Sequence, residues 1–138
     1  MNKYDYSDIS IGLTESFHFT VTSETMNRFL EISGDCNPLH CDSAFAEKHG
    51  FPGRVVYGML ISSFYSTLAG VYLPGERCLL QQIDIKFRKP VFIGDSLTVS
   101  GTVTEMSDAF RQITLKAEIR NQRGVKVNTA VIKAGVLR

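Results

Sequence analysis

Charge of one sign is what this sequence most lacks: 15 Lys and Arg stand against 14 Asp and Glu in 138 residues, and no block of like charge interrupts the mixture. A chain so balanced offers little to a nucleic-acid backbone or an anionic bilayer, which argues against nucleic acid and membrane surfaces as partners. A long apolar run is missing as well. The longest mostly apolar stretch, residues 55–73, is broken by Gly58, Ser62, Ser63, Ser66, Thr67 and Gly70, so it reads as a buried helix and not as a membrane span. Residues 1–14 have neither the basic start nor the apolar run of an export signal, and a cytoplasmic protein is expected. Cysteine is sparse: Cys36, Cys41 and Cys78 are odd in number and form no C-x-x-C pair, which fits free thiols in a reducing compartment better than a disulfide framework. Repeats, low-complexity tracts and Pro/Gly/Ser-rich linkers are absent, which excludes solenoids and tandem domains. One domain over residues 1–138 is expected, long enough to bury its own core without a structural metal.

What the sequence does contain is an ordered change of hydrophobic period. Residues 15–21 alternate as a strand with Phe17 and Phe19 on one face, and Thr22 or Ser23 can then cap a helix whose Met26, Phe29 and Leu30 form one stripe. That helix ends near Ser33-Gly34. A second, short helix over residues 43–49 has Asp42 or Ser43 as its cap and Gly50 with Pro52 as its stop, leaving residues 34–41 as a polar turn. From 56 to 72 apolar and small residues fall on almost every face of a helical projection, which predicts a helix enclosed by protein. The second half alternates with period two over 79–88, 96–105, 110–120 and 125–137, with turns near Gly94-Asp95, Ser107-Asp108 and residues 121–124. Consecutive strands of this kind make an antiparallel sheet. Helices early and strands late imply an α+β domain whose curved antiparallel sheet wraps a long central helix, a hotdog outline.

The run Asp35-Cys36-Asn37-Pro38-Leu39-His40 carries the chemistry. Pro38 fixes its own φ and pushes Asn37 toward an extended conformation, so the loop is stiff and the Asp35 carboxylate and His40 imidazole can converge on one point. Such a pair suits proton handling on a shared water. Taken alone, Asp35 also reads as an ordinary turn residue and His40 as a satisfied, partly buried histidine. His18, on an edge strand, and His49, at a helix C-terminus, keep that ordinary reading. Cys36, His40, Cys41 and Asp42 match no usual zinc spacing, so no metal is expected. Cys36 reads as a tucked-in thiol and not as a nucleophile.

The run resembles the hallmark of the MaoC-like, R-specific enoyl-thioester hydratases, Asp-x-Asn-Pro-x-His with Phe-Ala just downstream, here Phe45-Ala46. The resemblance continues into Gly58-Met59-Leu60, similar to the family's start of the central helix, and into Pro90-Val91-Phe92-Ile93-Gly94-Asp95, similar to its Pro-Val-x-x-Gly-Asp turn. It implies a hotdog fold and a hydratase or dehydratase acting on the C2–C3 double bond of a 2-enoyl-coenzyme A or (R)-3-hydroxyacyl-coenzyme A. It further implies that Asp35 and His40 activate water, that Asn37 braces the loop, that the Gly58 N–H receives the thioester carbonyl, and that Ser63 supports the site. A backbone donor at a helix start is well placed for the charge that grows on that oxygen. No cofactor is implied beyond the coenzyme A or phosphopantetheine of the substrate. A homodimer is expected, because the family's tunnel lies between two subunits and a lone hotdog sheet exposes an edge.

The chain departs from the family at Tyr57, where a histidine is common, and this bears on substrate choice. Tyr57 can donate one hydrogen bond at the site but cannot be a base near neutral pH. The basic cluster Lys86, Arg88 and Lys89 has two readings: Arg88 and Lys89 hold the phosphates of coenzyme A or phosphopantetheine, or they are a solvated strand end. A hotdog thioesterase is the competing activity, yet residues 56–72 contain no Asp or Glu to serve it. A non-catalytic acyl-thioester binder is the third reading, opposed by the intact Asp35 and His40.

Overall fold

The computed structural model describes residues 1–138. After a short 3-10 turn at Tyr6–Asp8 come β1 (Thr14–Thr20), α1 (Ser23–Ser33), α2 (Pro38–Cys41) and α3 (Ser43–Lys48). A central helical segment follows as α4 (Gly58–Ser62), α5 (Phe64–Thr67) and a π turn (Leu68–Tyr72). The chain closes with β2 (Cys78–Phe87), β3 (Ser96–Ser107), β4 (Gln112–Arg120) and β5 (Lys126–Val136). The five strands form one sheet in the order β1-β3-β4-β5-β2, every neighbouring pair antiparallel. β1 and β2 are its edges. The α+β architecture is the expected one.

The core lies between the central helix and the inward face of the sheet. Leu97, Val99 and Val103 of β3, Ile113, Leu115, Ala117 and Ile119 of β4, and Ala130, Ile132 and Ala134 of β5 pack against Leu60, Ile61, Phe64, Tyr65 and Leu68. Period-two alternation puts these strand residues on one face, which is why the strands were legible. Gly101 lies where helix and sheet approach closely: a Cβ there would sit 2.8 Å from Leu68 Cδ2, so a larger residue would have to displace that side chain.

Local chemistry sets the helix ends. Thr22 caps α1 by accepting from the Thr25 N–H, and Gly34 ends it in the left-handed conformation at φ 70°. Asp42 caps α3 by accepting from the Phe45 N–H. The polar turn expected over 34–41 instead contains α2, one helical turn with Asn37 as its cap and Pro38 at its first position.

The central segment differs from expectation in two ways. It starts at Gly58 and not at Val56, because Val55 and Val56 are extended: Val55 bridges Phe92 and the Val56 N–H donates to Val91 O at 2.8 Å. It is also not enclosed all round. Met59, Ser63 and Ser66, spaced i, i+4 and i+7, share an exposed stripe, with Met59 59% exposed. Small polar residues on that stripe pack equally well against protein or solvent, so composition could not tell the two apart. The segment tightens and loosens along its length, and its final turn closes with Leu73 N–H donating to Leu68 O at 2.8 Å. No helix is long and apolar enough to cross a membrane.

Candidate active site

The loop after α1 is built by short polar side chains bonding their own backbone. Asp35 Oδ1 accepts from the Asn37 N–H at 3.1 Å, and Asn37 Oδ1 accepts from the Leu39 N–H at 2.9 Å. Asn37 sits at ψ 127°, the extended state that the following proline imposes. One Asp35 oxygen is therefore committed to the loop, and Oδ2 remains free for a ligand.

His40 is held from three sides. Its N–H donates to Asn37 O at 2.9 Å, and its carbonyl accepts from Arg54 Nε at 2.6 Å. Its ring Nδ1 lies 2.7 Å from Val55 O. A carbonyl only accepts, so Nδ1 carries the proton and Nε2 keeps its lone pair. The imidazole is thereby set as a base or a hydrogen-bond acceptor on its other edge.

Tyr57 ties the two groups together. It is 1% exposed, its hydroxyl donates to Asp35 O at 2.7 Å and lies 3.4 Å from Cys41 Sγ, and its ring sits 4.3 Å from the His40 ring. Burial first, then the Cys41 contact, push the phenol well above its ordinary value of 10.0, so it stays neutral. Its hydroxyl is turned onto the Asp35 loop, and the residue also lines the cleft.

Asp35, His40, Tyr57, Gly58, Arg88 and Lys89 line one cleft of about 470 Å³, whose remaining walls are mostly apolar, including Val56, Met59, Ile61, Phe87 and Val91. Gly58 opens α4 on the cleft wall, where its N–H has no helical acceptor. Two expected site residues stand apart from the cleft. Asn37 caps α2, and Ser63 is exposed on the stripe it shares with Met59, its hydroxyl donating to Leu60 O at 2.6 Å; neither lines the cleft. Arg88 Nε donates to Thr129 Oγ1 at 3.1 Å, which draws its guanidinium toward the outer face of the sheet. A larger depression on that outer face, about 910 Å³, is lined by Lys86, Arg88, Lys116, Arg120 and Lys126. Two of those cations already pair with Glu118, and neither Asp35 nor His40 lines it.

Several supporting residues escaped the sequence reading. Val55 fixes the His40 ring through its backbone carbonyl, which leaves no signature in side-chain type, and the Arg54 side chain reaches the His40 carbonyl from 14 residues away. The buried set Ser62, Tyr65 and Asn128 did leave one: Asn128 is the polar member of an inward-facing series that continues as Ala130, Ile132 and Ala134. No cluster of three or more His, Cys, Asp or Glu side chains is arranged to hold a metal ion.

Residues 12–124 match the MaoC like domain. The chain belongs to that family. Among curated MaoC-like relatives it is 38% identical over 107 residues to the (R)-specific enoyl-CoA hydratase of Aeromonas caviae, spanning 76% of this chain and 80% of that one. It is 34% identical over 101 residues to the 3-hydroxybutyryl-CoA dehydratase of Methylorubrum extorquens, spanning 73% and 64%. Among solved structures, the A. caviae (R)-hydratase superposes with TM-score 0.89 at 30% identity, covering 93% of this chain and 97% of that one. The unliganded R-hydratase PhaJ1 from Pseudomonas aeruginosa gives TM-score 0.91 at 26% identity, covering 96% and 85%. The fold of this MaoC-like chain is the hotdog, its sheet wrapped around the central helix.

Proposed function

We propose that this MaoC-like protein is a hydratase and dehydratase of acyl thioesters, and that Asp35 and His40 act together on one water beside C3 of a bound 2-enoyl chain. The reading rests on one observation above all: Asp35, His40 and Gly58 line a single, mostly apolar cleft. In the forward direction the water loses a proton to the Asp35–His40 pair as its oxygen bonds to C3. The C2–C3 π electrons move toward the thioester carbonyl, whose growing negative charge the Gly58 N–H stabilises. C2 then takes a proton from the pair, giving the (R)-3-hydroxyacyl thioester and restoring both groups. Dehydration runs the same steps backward. The chemistry asks for no cofactor beyond the coenzyme A or phosphopantetheine that the substrate brings. The three cysteines are free thiols, which suits a cytoplasmic location.

A homodimer completes this reading. β2 is an edge strand carrying exposed Leu79, Leu80 and Phe87, and Phe87 and Met59, each 59% exposed, stand at the cleft. A second copy laid along β2 would bury these groups and roof the cleft.

Incubation with crotonyl-coenzyme A, following enoyl absorbance and free thiol in parallel, tests the activity. Loss of enoyl absorbance without thiol release is the expected result; thiol release would make the protein a thioesterase, and silence in both would favour a binder. Neutralising Arg88 and Lys89 together should raise KM for crotonyl-coenzyme A several-fold with kcat nearly unchanged. An unmoved KM would return both residues to the solvated strand end.

A further inference from the structure

Between the central helix and β5 runs a buried chain of hydrogen bonds that the reaction scheme does not use. The Tyr65 hydroxyl donates to Asn128 Oδ1 at 3.0 Å, Asn128 Nδ2 donates to Ser62 Oγ at 3.0 Å, and the Ser62 hydroxyl donates to Gly58 O at 2.7 Å. Tyr65 and Asn128 are 0% exposed and Ser62 is 4% exposed. An amide in an apolar core costs stability unless its partners are satisfied, and an apolar side chain of similar shape would serve the core as well. Packing alone therefore gives no reason for Asn128. The chain has one direction, each member polarising the next, and it ends on the first residue of the helix at the cleft wall.

That end point is where the backbone is hardest to hold. A Cβ at residue 58 would lie 2.7 Å from Phe87 Cε1, and glycine is the residue with the least backbone restraint. Tyr57, the cap residue, makes no side-chain cap bond to this turn. The link through Ser62 to Asn128 ties the turn to the sheet.

We propose that Asn128 is a positioning residue for hydration: through Ser62 it holds the Gly58 carbonyl and so anchors the first residue of α4, whose N–H, on the preceding peptide, is the donor for the thioester oxygen. The inference rests on the role given to the Gly58 N–H under the proposed function. A donor moved by a fraction of an ångström loses transition-state stabilisation, whereas substrate binding, carried by the acyl and coenzyme A contacts, changes little.

Steady-state hydration of crotonyl-coenzyme A by the full chain tests this with Asn128→Leu, Ser62→Ala and Ser62→Thr. Asn128→Leu and Ser62→Ala should each lower kcat about ten- to a hundredfold, with KM within about twofold and the shape of the pH profile kept. Ser62→Thr, which retains the hydroxyl donor, should restore most of the rate. The Ser62→Ala/Asn128→Leu double variant should lose no more than the worse single one, because both act through Gly58 O. Wild-type kcat in the single variants, or equal impairment in Ser62→Thr and Ser62→Ala, overturns the inference. Should Asn128→Leu fail to fold, Ser62→Ala and Ser62→Thr decide the question. A wild-type protein that hydrates no enoyl thioester overturns the proposed function and this inference together, whereas an active wild type with unaffected variants overturns the inference alone.

Discussion

Tyr57 holds two groups at once: its hydroxyl reaches the Asp35 carbonyl and its ring lies against His40. Tyr57→Phe keeps the ring and deletes the hydrogen bond to the Asp35 carbonyl. The expected cost is about 1 kcal/mol of stability, read by urea unfolding. Because Asp35 then has more freedom, kcat should also fall about tenfold, read as initial rates on crotonyl-coenzyme A. An unchanged kcat would mean that the Asx turn alone sets the carboxylate. Asp35, Asn37 and His40 were legible because their spacing is local, six residues whose turn chemistry and proline can be read directly. The role of Tyr57 was not, since its partner lies 22 residues away, and the type of residue says only that one hydrogen bond is wanted. Ser62 and Ser63 look the same in sequence, yet the first is buried and the second exposed.

The central helix shows what periodicity can and cannot resolve at the level of an element. Its existence and its packing face follow from apolar residues at helical spacing, and the strands around it from alternation. Its start does not, because Val55 and Val56 suit a helix or an extended pair equally and tertiary pairing with Val91 and Phe92 decides. α2 was missed because four residues are too few to show a period. The helix also carries two tyrosines, Tyr57 and Tyr65, whose phenols burial pushes above the ordinary value of 10.0. A raised pKa means that the folded state prefers the neutral phenol while the unfolded chain ionises near 10. Stability from this source is fully present below about pH 10 and is lost as pH rises beyond it. Unfolding midpoints measured from pH 8 to 11, values chosen to bracket about pH 10, should therefore decline at the alkaline end. Tyr57→Phe with Tyr65→Phe should flatten that decline, and an equal slope in the variant would assign it to other groups.

For the whole molecule, the sheet edge and the cleft point the same way. β2, an edge strand, carries exposed Leu79 and Leu80 near its start and at its end Phe87, which with exposed Met59 lines the cleft. Light scattering should give the mass of two chains, and Leu79→Lys with Leu80→Lys should shift it toward one chain with loss of hydration. A wild-type monomer that is fully active would remove the shared cleft. The fold class was legible from the order of helices and strands; the exposure of Leu79 and Leu80 was not, because leucines on an edge strand look in sequence like any other strand residues. All of this depends on two side chains working on one water. The most direct measurement is crotonyl-coenzyme A turnover by Asp35→Asn, His40→Ala and the double variant. Each single change is predicted to remove about a thousandfold of the rate, and the double change no more than the worse of the two, because the pair acts as a unit. Near-wild-type turnover in either single variant, or losses that multiply in the double, would contradict the account.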